Sequence, residues 1–430
     1  MNNNRFLFIH YHYPPIKNSG VYRNYYLSTA IADKTTASYL ITTDNRKILP
    51  NESLPLHSQM TRFEAFTLDY RKVISIFKGK KNQSGAQFSE KAKASFFASW
   101  MIKIQRSFPF NIFLAEGSIF YIIHAYYIGK RIFRNNNINV IYSSFMPYSD
   151  HIVAWLLKKK FPTLIWVADF RDLHVEPIYK NVIWPDFQKK VEKFILRSAD
   201  VVTTVSDGIS QKMTALHQNV HTITKGVDIR TSKVGFAKFT IHYSGSLFQQ
   251  FRDPRPLFNA LAALIKEQKI DKERICFLYA GKDGSLMQQW AETSGISDVF
   301  VNKGMLSRNE AIEMQDKSHI NLLLTSASDE HAGLLTGKLF EYIEGGKEIL
   351  CFIKGSRDKE IETMFSEFQL GAVLYDEEKI REYILEKYIE YIKTGEVKAK
   401  HLRDAILQNM SWERQAERVF DLVSLNGKNT

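Results

Sequence analysis

Short apolar runs alternate with amphipathic stretches along the whole chain. In the first half, runs such as Arg5-Phe-Leu-Phe-Ile9 and Leu164-Ile-Trp-Val-Ala168 read as buried strands, and the pattern predicts strands at 5–9, 38–42, 138–143, 164–168, 201–204 and 220–224. Helical spacing between them predicts helices at about 20–33, 89–106, 114–134, 149–160, 186–198 and 207–216. The second half repeats the alternation, with strands at 239–243, 275–280, 298–301, 320–324, 349–353 and 372–374. Its helices are predicted at about 255–268, 284–294, 308–315, 337–345, 357–366 and 377–393. Strands apolar on both faces and separated by helices define an α/β protein with parallel sheets and right-handed crossovers. The pattern breaks at Lys225-Gly-Val-Asp-Ile-Arg-Thr-Ser232, a polar link. This divides the chain into domains 1–228 and 229–409, followed by a basic connector and a last helix within 410–430.

Composition narrows the class. At 430 residues and 44% hydrophobic content there is material for two cores. The two cysteines, Cys276 and Cys351, sit in strand-like runs and read as reduced thiols of a cytosolic protein. No Cys/His spacing suits a metal. The first strand is too short for a signal peptide, and the longest apolar stretch, Ile119 to Ile128, is about half of a membrane span.

The net charge of +12 is unevenly spread: residues 71–134 hold twelve Lys and Arg against Glu90 and Glu116, a local charge of +10. Phe77, Phe96, Phe97, Trp100 and Phe108 are interleaved. Such a segment suits an anionic partner, either the inner face of a membrane or nucleic acid. A solvated basic face without a partner is the third reading. No zinc-finger, RRM or KH pattern accompanies the charge, which favours the membrane over nucleic acid. Binding to anionic vesicles that is lost when Lys78, Lys80, Lys81, Lys91 and Lys93 become Glu would distinguish the three.

Four places carry candidate chemistry. The apolar run Ile320–Leu324 leads through a small polar loop, which includes Gly333, Leu334, Leu335 and Thr336, into an amphipathic helix bearing Lys338 and Glu341. Gly345-Gly346 end that helix before the next strand. A glycine-bearing loop and a helix N-terminus at the carboxyl end of a parallel strand is where open α/β sheets bind phosphorylated ligands. An acid one turn in can accept hydrogen bonds from a ribose. At the first strand's end, Asn18-Ser19-Gly20 opens a helix with Arg23 one turn in. Gly245 ends the strand 239–243, followed by Arg252 and Arg255. Asp169-Phe-Arg171-Asp172 stands at the tip of the strand 164–168; charges there either pair within the loop or bind a ligand. His151, behind a Ser149/Asp150 cap, is either a packed helix residue or a site residue.

The stretch Gly337-Lys-Leu-Phe-Glu341-Tyr-Ile-Glu-Gly-Gly346 resembles the donor site of nucleotide-sugar glycosyltransferases with two Rossmann-like domains, the GT-B fold, and within them the retaining family-four enzymes of bacterial surface-polysaccharide assembly. That family's pattern has two glutamates eight positions apart; the second falls on Glu341, and Gly333 stands at the position of the first. Ser19-Gly20 is similar to the family's Gly-Gly loop, and Gly226-Val-Asp228 to its Asn-Gly-Val-Asp linker, with Lys225 for Asn. Gly281, Gly304 and Leu306 match the strand ends that frame the nucleotide base. Asp169 and Arg171 replace a histidine near the reacting sugar.

The resemblance implies two Rossmann-like domains facing each other across a cleft, with the C-terminal helix crossing back to the first. It implies an acceptor bound by the N-domain, with Arg23 and His151 on its side, and a donor bound by the C-domain. Arg252 and Lys338 would neutralise the leaving diphosphate, so that no metal or other cofactor is needed. The expected setting is the cytoplasmic face of the membrane, where surface polysaccharide or a lipid-linked oligosaccharide is built. A nucleotide-sugar epimerase of the same fold, a non-catalytic nucleotide-binding protein and a nucleic-acid-binding protein stay open as alternatives.

Overall fold

The computed structural model describes residues 4–16, 20–44, 54–67, 96–114, 117–176, 181–231, 233–247, 251–328 and 335–427, the side chains of 96–99 and 114 excepted. Ser19, Gly333 and Leu334 lie outside the described residues, as do the five lysines between 78 and 93 and the first part of the helix predicted at 89–106. The chain forms two compact units, Met1–Gly226 with Trp412–Thr430, and Val227–Ser411.

The first unit is built on a seven-stranded sheet of order β3-β2-β1-β4-β5-β6-β7. Its strands are β1 (Phe6–Ile9), β2 (Ser38–Thr43), β3 (Met60–Ala65), β4 (Val140–Phe145), β5 (Ile165–Phe170), β6 (Val201–Thr204) and β7 (Val220–Thr222). Every pairing is parallel. The helices are α1 (Val21–Asp33), α2 (Phe96–Arg106), α3 (Phe110–Leu114), α4 (Ile119–Asn135), α5 (Ser149–Lys160), α6 (Pro185–Leu196) and α7 (Asp207–Met213). The central strands β1, β4, β5 and β6 are buried at every position, which is why each reads as a mainly apolar run, with polar residues only towards the carboxyl ends of β4, β5 and β6.

Three expectations fail here for identifiable reasons. Strand β3 was not predicted; it is an edge strand, and its Arg62 and Glu64 break the apolar run that marks the others. The helix predicted over 114–134 begins at Ile119, because Gly117 takes a φ of +70 and Ser118 starts the helix anew. A Cβ at Gly117 would also lie 2.0 Å from the Ser149 hydroxyl. The Ser149/Asp150 cap is not formed: Tyr148 occupies the cap position, and the buried Asp150 carboxylate accepts hydrogen bonds from the Tyr11 N–H and the Tyr121 hydroxyl, both at 2.8 Å.

The second unit has a six-stranded parallel sheet, β10-β9-β8-β11-β12-β13. In chain order it comprises β8 (Phe239–Ser244), α8 (Arg255–Lys266), β9 (Ile275–Ala280), α9 (Gly284–Thr293), β10 (Phe300–Asn302), α10 (Arg308–Lys317), β11 (Ile320–Ala327), α11 (Gly337–Gly345), β12 (Glu348–Gly355), α12 (Lys359–Phe368), β13 (Gly371–Leu374), α13 (Glu377–Thr394) and α14 (Arg403–Met410). Helix α14 lies in the stretch expected to be a connector. The alternation of strand side chains divides the core in two. Leu322 and Leu324 pack with Leu257, Phe258, Met287 and Ile384 on one face. Leu323 packs with Leu339, Phe340, Ile343 and Phe365 on the other. Cys276 is half-buried and Cys351 fully buried, both as free thiols. Val227 opens the unit, hydrogen-bonding through its N–H to the Met410 carbonyl at 2.8 Å.

The last helix, α15 (Trp412–Gly427), returns to the first unit and lies along α1. Its Trp412 ring stacks on Tyr26 with centroids 5.4 Å apart, and Phe420 meets Phe6 edge-on at 5.5 Å. Gly226 leaves room for that indole, since a Cβ there would stand 2.3 Å from it.

Candidate functional site

In the second unit, the candidate residues gather at the carboxyl ends of β8, β9 and β11. Helix α11 starts there with Thr336 as its cap residue. The Thr336 hydroxyl is buried and finds no partner among the described residues. A Cβ on Gly337 would meet nothing within 4 Å among the described residues, which leave the space over this helix start open. The Leu339 N–H donates to the Thr336 carbonyl at 3.1 Å, which leaves the Gly337 and Lys338 N–H groups and the Thr336 hydroxyl without a partner among the described residues and suited to an anion. Leu335 is half-buried beside them.

Lys338, one residue in, lies against Gly245: a Cβ at that glycine would stand 2.4 Å from Lys338 Cε, and its φ of +135 also requires glycine. Burial lowers the Lys338 pKa; Glu341 opposes this, while Arg252 and Arg308 add to it, and the net shift is downward. The ammonium therefore sits in a place that favours added negative charge.

The strand tips are tied together around this point. The Gly245 N–H donates to the Ala280 carbonyl at 2.8 Å, and the Tyr279 hydroxyl donates to the Gly245 carbonyl at 2.8 Å. The Gly281 N–H donates to the Gly304 carbonyl at 2.8 Å. Gly281 cannot carry a side chain, since a Cβ would fall 2.4 Å from the Gly245 oxygen. Gly304 has a φ of +66 with nothing near its Cβ direction, and Leu306 is half-buried beside it. Arg252 donates to the Ser246 carbonyl at 3.2 Å.

Glu341 has a partner that sequence reasoning missed. Arg308 Nη1 donates to Glu341 Oε1 at 2.7 Å, with the two side chains 28% and 19% exposed. Arg308 is held at the first position of α10 by a reciprocal cap, in which Ser307 and Glu310 bond each other's backbone N–H. A second missed residue is Arg230, in the polar link. Its guanidinium donates to Asp316 at 2.8 Å, to Glu344 at 2.9 Å and to the Glu341 carbonyl at 2.9 Å. It fixes the far end of α11 to α10, and so the turn on which Glu341 rides. Neither arginine stands in a sequence pattern that marks it.

In the first unit, the geometry separates the candidates. Asp169 is within β5 and 1% exposed, and it does not pair with Arg171. Its carboxylate accepts from Arg23 Nη2 at 2.8 Å and from the Thr203 hydroxyl at 2.8 Å. Burial alone would raise the Asp169 pKa; the Arg23 charge and hydrogen bonds from Arg23, Thr203 and Tyr142 outweigh it and hold the group below the usual carboxylate value. Arg23 is itself buried and also donates to the Thr224 carbonyl at 2.8 Å. This is a core ion pair, and neither member reaches solvent. His151 is fully buried among Phe145, Phe170 and Trp166, with Nδ1 2.8 Å from the Ser143 hydroxyl. Burial depresses its pKa to about 3 and keeps the ring neutral. The assignments of Asp169 to catalysis and of Arg23 and His151 to acceptor contact are therefore replaced by packing and charge pairing.

Gly20 and Arg171 do come together. The Arg171 guanidinium occupies the place a Cβ on Gly20 would take, 1.3 Å from its Nη1, and donates through Nε to the Phe145 carbonyl at 2.8 Å. A half-buried guanidinium beside the start of α1 is the remaining candidate of this unit. Elsewhere in the unit, the Glu192 carboxyl of α6 is 2% exposed, and no donor among the described residues reaches its Oε1. Burial pushes its pKa up to about 8.

That shift has a definite sign. The unfolded glutamate ionises near ~4.3, so the neutral buried carboxyl favours the fold fully below that pH, and this contribution is lost as pH rises through about 8. Glu192→Gln is expected to raise the melting temperature at pH 8 and to do so far less at pH 5. An equal change at both pH values would show that the carboxyl is ionised in the fold.

Among the described residues no group of three or more His, Cys, Asp or Glu is arranged to hold a metal ion, and no helix is long and apolar enough to cross a membrane. No protein-family model matches the chain, and no curated protein matches it in sequence. Solved structures match over the full length. Sucrose-phosphate synthase from Thermosynechococcus elongatus superposes with a TM-score of 0.60 at 11% identity, covering 100% of both chains. A glycosyltransferase from Rickettsia africae ESF-5 gives 0.57 at 13%, again over 100% of both. The lipopolysaccharide outer core galactosyltransferase WaaB gives 0.54 at 12%, over 98% of this chain and 99% of the other. At such identities the likeness is one of fold, and the fold is that of the GT-B glycosyltransferases.

Proposed function

We propose that the protein is a glycosyltransferase of the retaining family-four kind. It moves a sugar from a nucleotide-sugar donor, bound by the second unit, to a saccharide or polyprenyl-linked acceptor in surface-polysaccharide assembly. The observation that carries this reading is the open start of α11, where Thr336, Lys338, Arg252, Arg308 and Glu341 surround the carboxyl end of β11. The helix N-terminus and cations suit the two phosphates, and Glu341 suits the ribose.

In the reaction, the bond between the sugar's anomeric carbon and the β-phosphate oxygen breaks, and its electron pair stays on the diphosphate. The acceptor oxygen bonds to the same face of that carbon, and its proton passes to the departing phosphate. Lys338 and Arg252 stabilise the charge that develops on the diphosphate, so neither a metal nor a dedicated protein base is required. The setting is the cytoplasmic face of the cell membrane.

A thermal-shift screen of UDP-, GDP- and dTDP-sugars tests donor binding, since a ligand at a hundred times its dissociation constant adds about 2.7 kcal/mol. Sugar transfer supports the reading; interconversion of the donor without any acceptor would identify an epimerase instead. Lys338→Ala and Arg252→Ala are each expected to lower kcat by about 100-fold or more, with a smaller change in donor affinity. Activity should persist in EDTA. Strict dependence on a divalent ion would reject the metal-free mechanism.

A further inference from the structure

The cap residue Trp184 and two side chains of helix α6 face solvent: Trp184 is 61% exposed, Phe187 47% and Phe194 57%. Projected at ~100° per residue, Phe187 and Phe194 lie about 20° apart on one face of the helix, with Trp184 at its start. Lys189, Lys190, Lys193 and Arg197, all exposed, fill the next arc, with Asp186 as the one exposed acid of the helix. The third arc, Gln188, Glu192, Ile195 and Leu196, is the buried one. A helix that only covers a sheet needs a single apolar arc. This one has a second, and among the described residues the unit leaves it largely exposed, with Phe194 meeting the Trp155 ring at 5.9 Å. Trp184 even holds a left-handed backbone, φ 51 and ψ 61, which is costly for a bulky residue, while its ring stays in solvent.

The patch continues beyond the helix. The Gln188 side chain accepts from the Phe108 N–H at 2.7 Å and donates to the Phe108 carbonyl at 3.1 Å, and the Ile183 N–H donates to the Ser107 hydroxyl at 2.8 Å. These bonds fix α6 to the end of α2, whose Trp100 is 46% exposed and whose last turn holds Lys103 and Arg106. Two helices over from α6 in the same layer, α4 repeats the pattern: Phe120, Ile123 and Tyr127 are 48%, 49% and 60% exposed on one face, which runs on into Arg131 and Arg134.

We propose that this side of the first unit, with α6 at its centre, docks on an anionic lipid bilayer. Apolar aromatic arcs flanked by cations match the two layers such a surface offers, an acyl boundary beneath negative headgroups. The inference deepens the reading given above, on whose lipid-linked acceptor it rests. Helix α6 begins after the carboxyl end of β5, on the sheet edge that carries Gly20 and Arg171. Docking would hold that edge at headgroup level, where the sugar of a lipid-linked acceptor lies.

The test is cosedimentation of the full chain with vesicles of phosphatidylcholine alone or mixed with phosphatidylglycerol. Binding to the anionic vesicles alone, weakening with salt, is expected. The triple variant Trp184→Ala, Phe187→Ala, Phe194→Ala and the triple variant Lys189→Glu, Lys190→Glu, Lys193→Glu should each lose tenfold or more in vesicle affinity, roughly as expected for three engaged groups. Both should keep the wild-type thermal shift with a nucleotide sugar. Vesicle binding that both variants retain would overturn the role of α6 while leaving membrane attachment standing. No binding to either vesicle would overturn both. Loss of the thermal shift in the wild type would instead strike the donor-site reading. Preference for single-stranded RNA over vesicles, or a lipid-free dimer that the aromatic variant dissolves, would assign the surface to another partner and end the proposal.

Discussion

Replacing Glu341 by alanine is expected to weaken donor binding or transfer by about 10- to 1000-fold, since charge-assisted hydrogen bonds are worth roughly 1.5–3 kcal/mol each and about 1.4 kcal/mol makes a decade. The Arg308 contact sharpens that expectation. Glu341 Oε1 is engaged at 2.7 Å, which holds the carboxylate in one orientation. On the proposed reading Oε2 would receive the ribose, so loss of Glu341 would remove that acceptor and also release a guanidinium next to Lys338. Arg308→Ala should give a smaller defect in the same parameter, with Arg308→Lys recovering part of it. The measurement is donor affinity by calorimetry alongside kcat/KM, with circular dichroism to confirm the fold. Unchanged kinetics in a folded Glu341 variant would remove it from the site.

Asp169→Ala is expected to destabilise the first unit by about 3–5 kcal/mol, because removing one partner of a buried pair strands the other charge. Arg23 and Asp169 are 6% and 1% exposed, and no solvent is at hand to take over. The pH dependence follows from the depressed Asp169 pKa. The contribution is fully present above the unfolded value, near ~3.9, and is lost as pH falls through the lower folded value. Urea unfolding at pH 7 and at pH 3 measures both effects. Replacing Arg23 and Asp169 together by apolar residues of similar volume should recover much of the loss. A stable single variant with reduced turnover would return Asp169 to the active site.

The sheets were readable because their central strands are apolar on both faces. Ile320–Leu324 and Ile349–Ile353 stand out in the sequence, and so does the glycine-capped helix between them. What escaped lacked that period. Strand β3 mixes Arg62 and Glu64 into an edge, and α14 follows a basic stretch with few apolar residues. The helix bearing Glu341 was legible for the same local reason, its spacing and its glycines. Its neighbour Arg308 lies 33 residues away in sequence, and the Arg23–Asp169 pair spans 146. No local pattern records a contact made by two strand tips or by a helix folded across a sheet. His151 shows the converse: a polar residue in a helix start reads as chemistry, and only the packing around it reveals a core position.

The place of α15 has a consequence for how the protein is made. Trp412, Ala416, Val419, Phe420 and Val423 complete a core begun by Phe6, Phe8 and Ile31. Yet the whole of the second unit is encoded between these two groups. On the ribosome, the first unit must wait while Val227–Ser411 is synthesised, on the order of ten to forty seconds at elongation rates of ~5–20 residues per second. During that interval the face of α1 that receives α15 is bare to solvent. A chain halted or cleaved before Trp412 would keep that face bare, with an intact second unit attached. Nascent chains of this protein should therefore engage holding chaperones until α15 emerges, and truncation before Trp412 should lead to aggregation through the first unit.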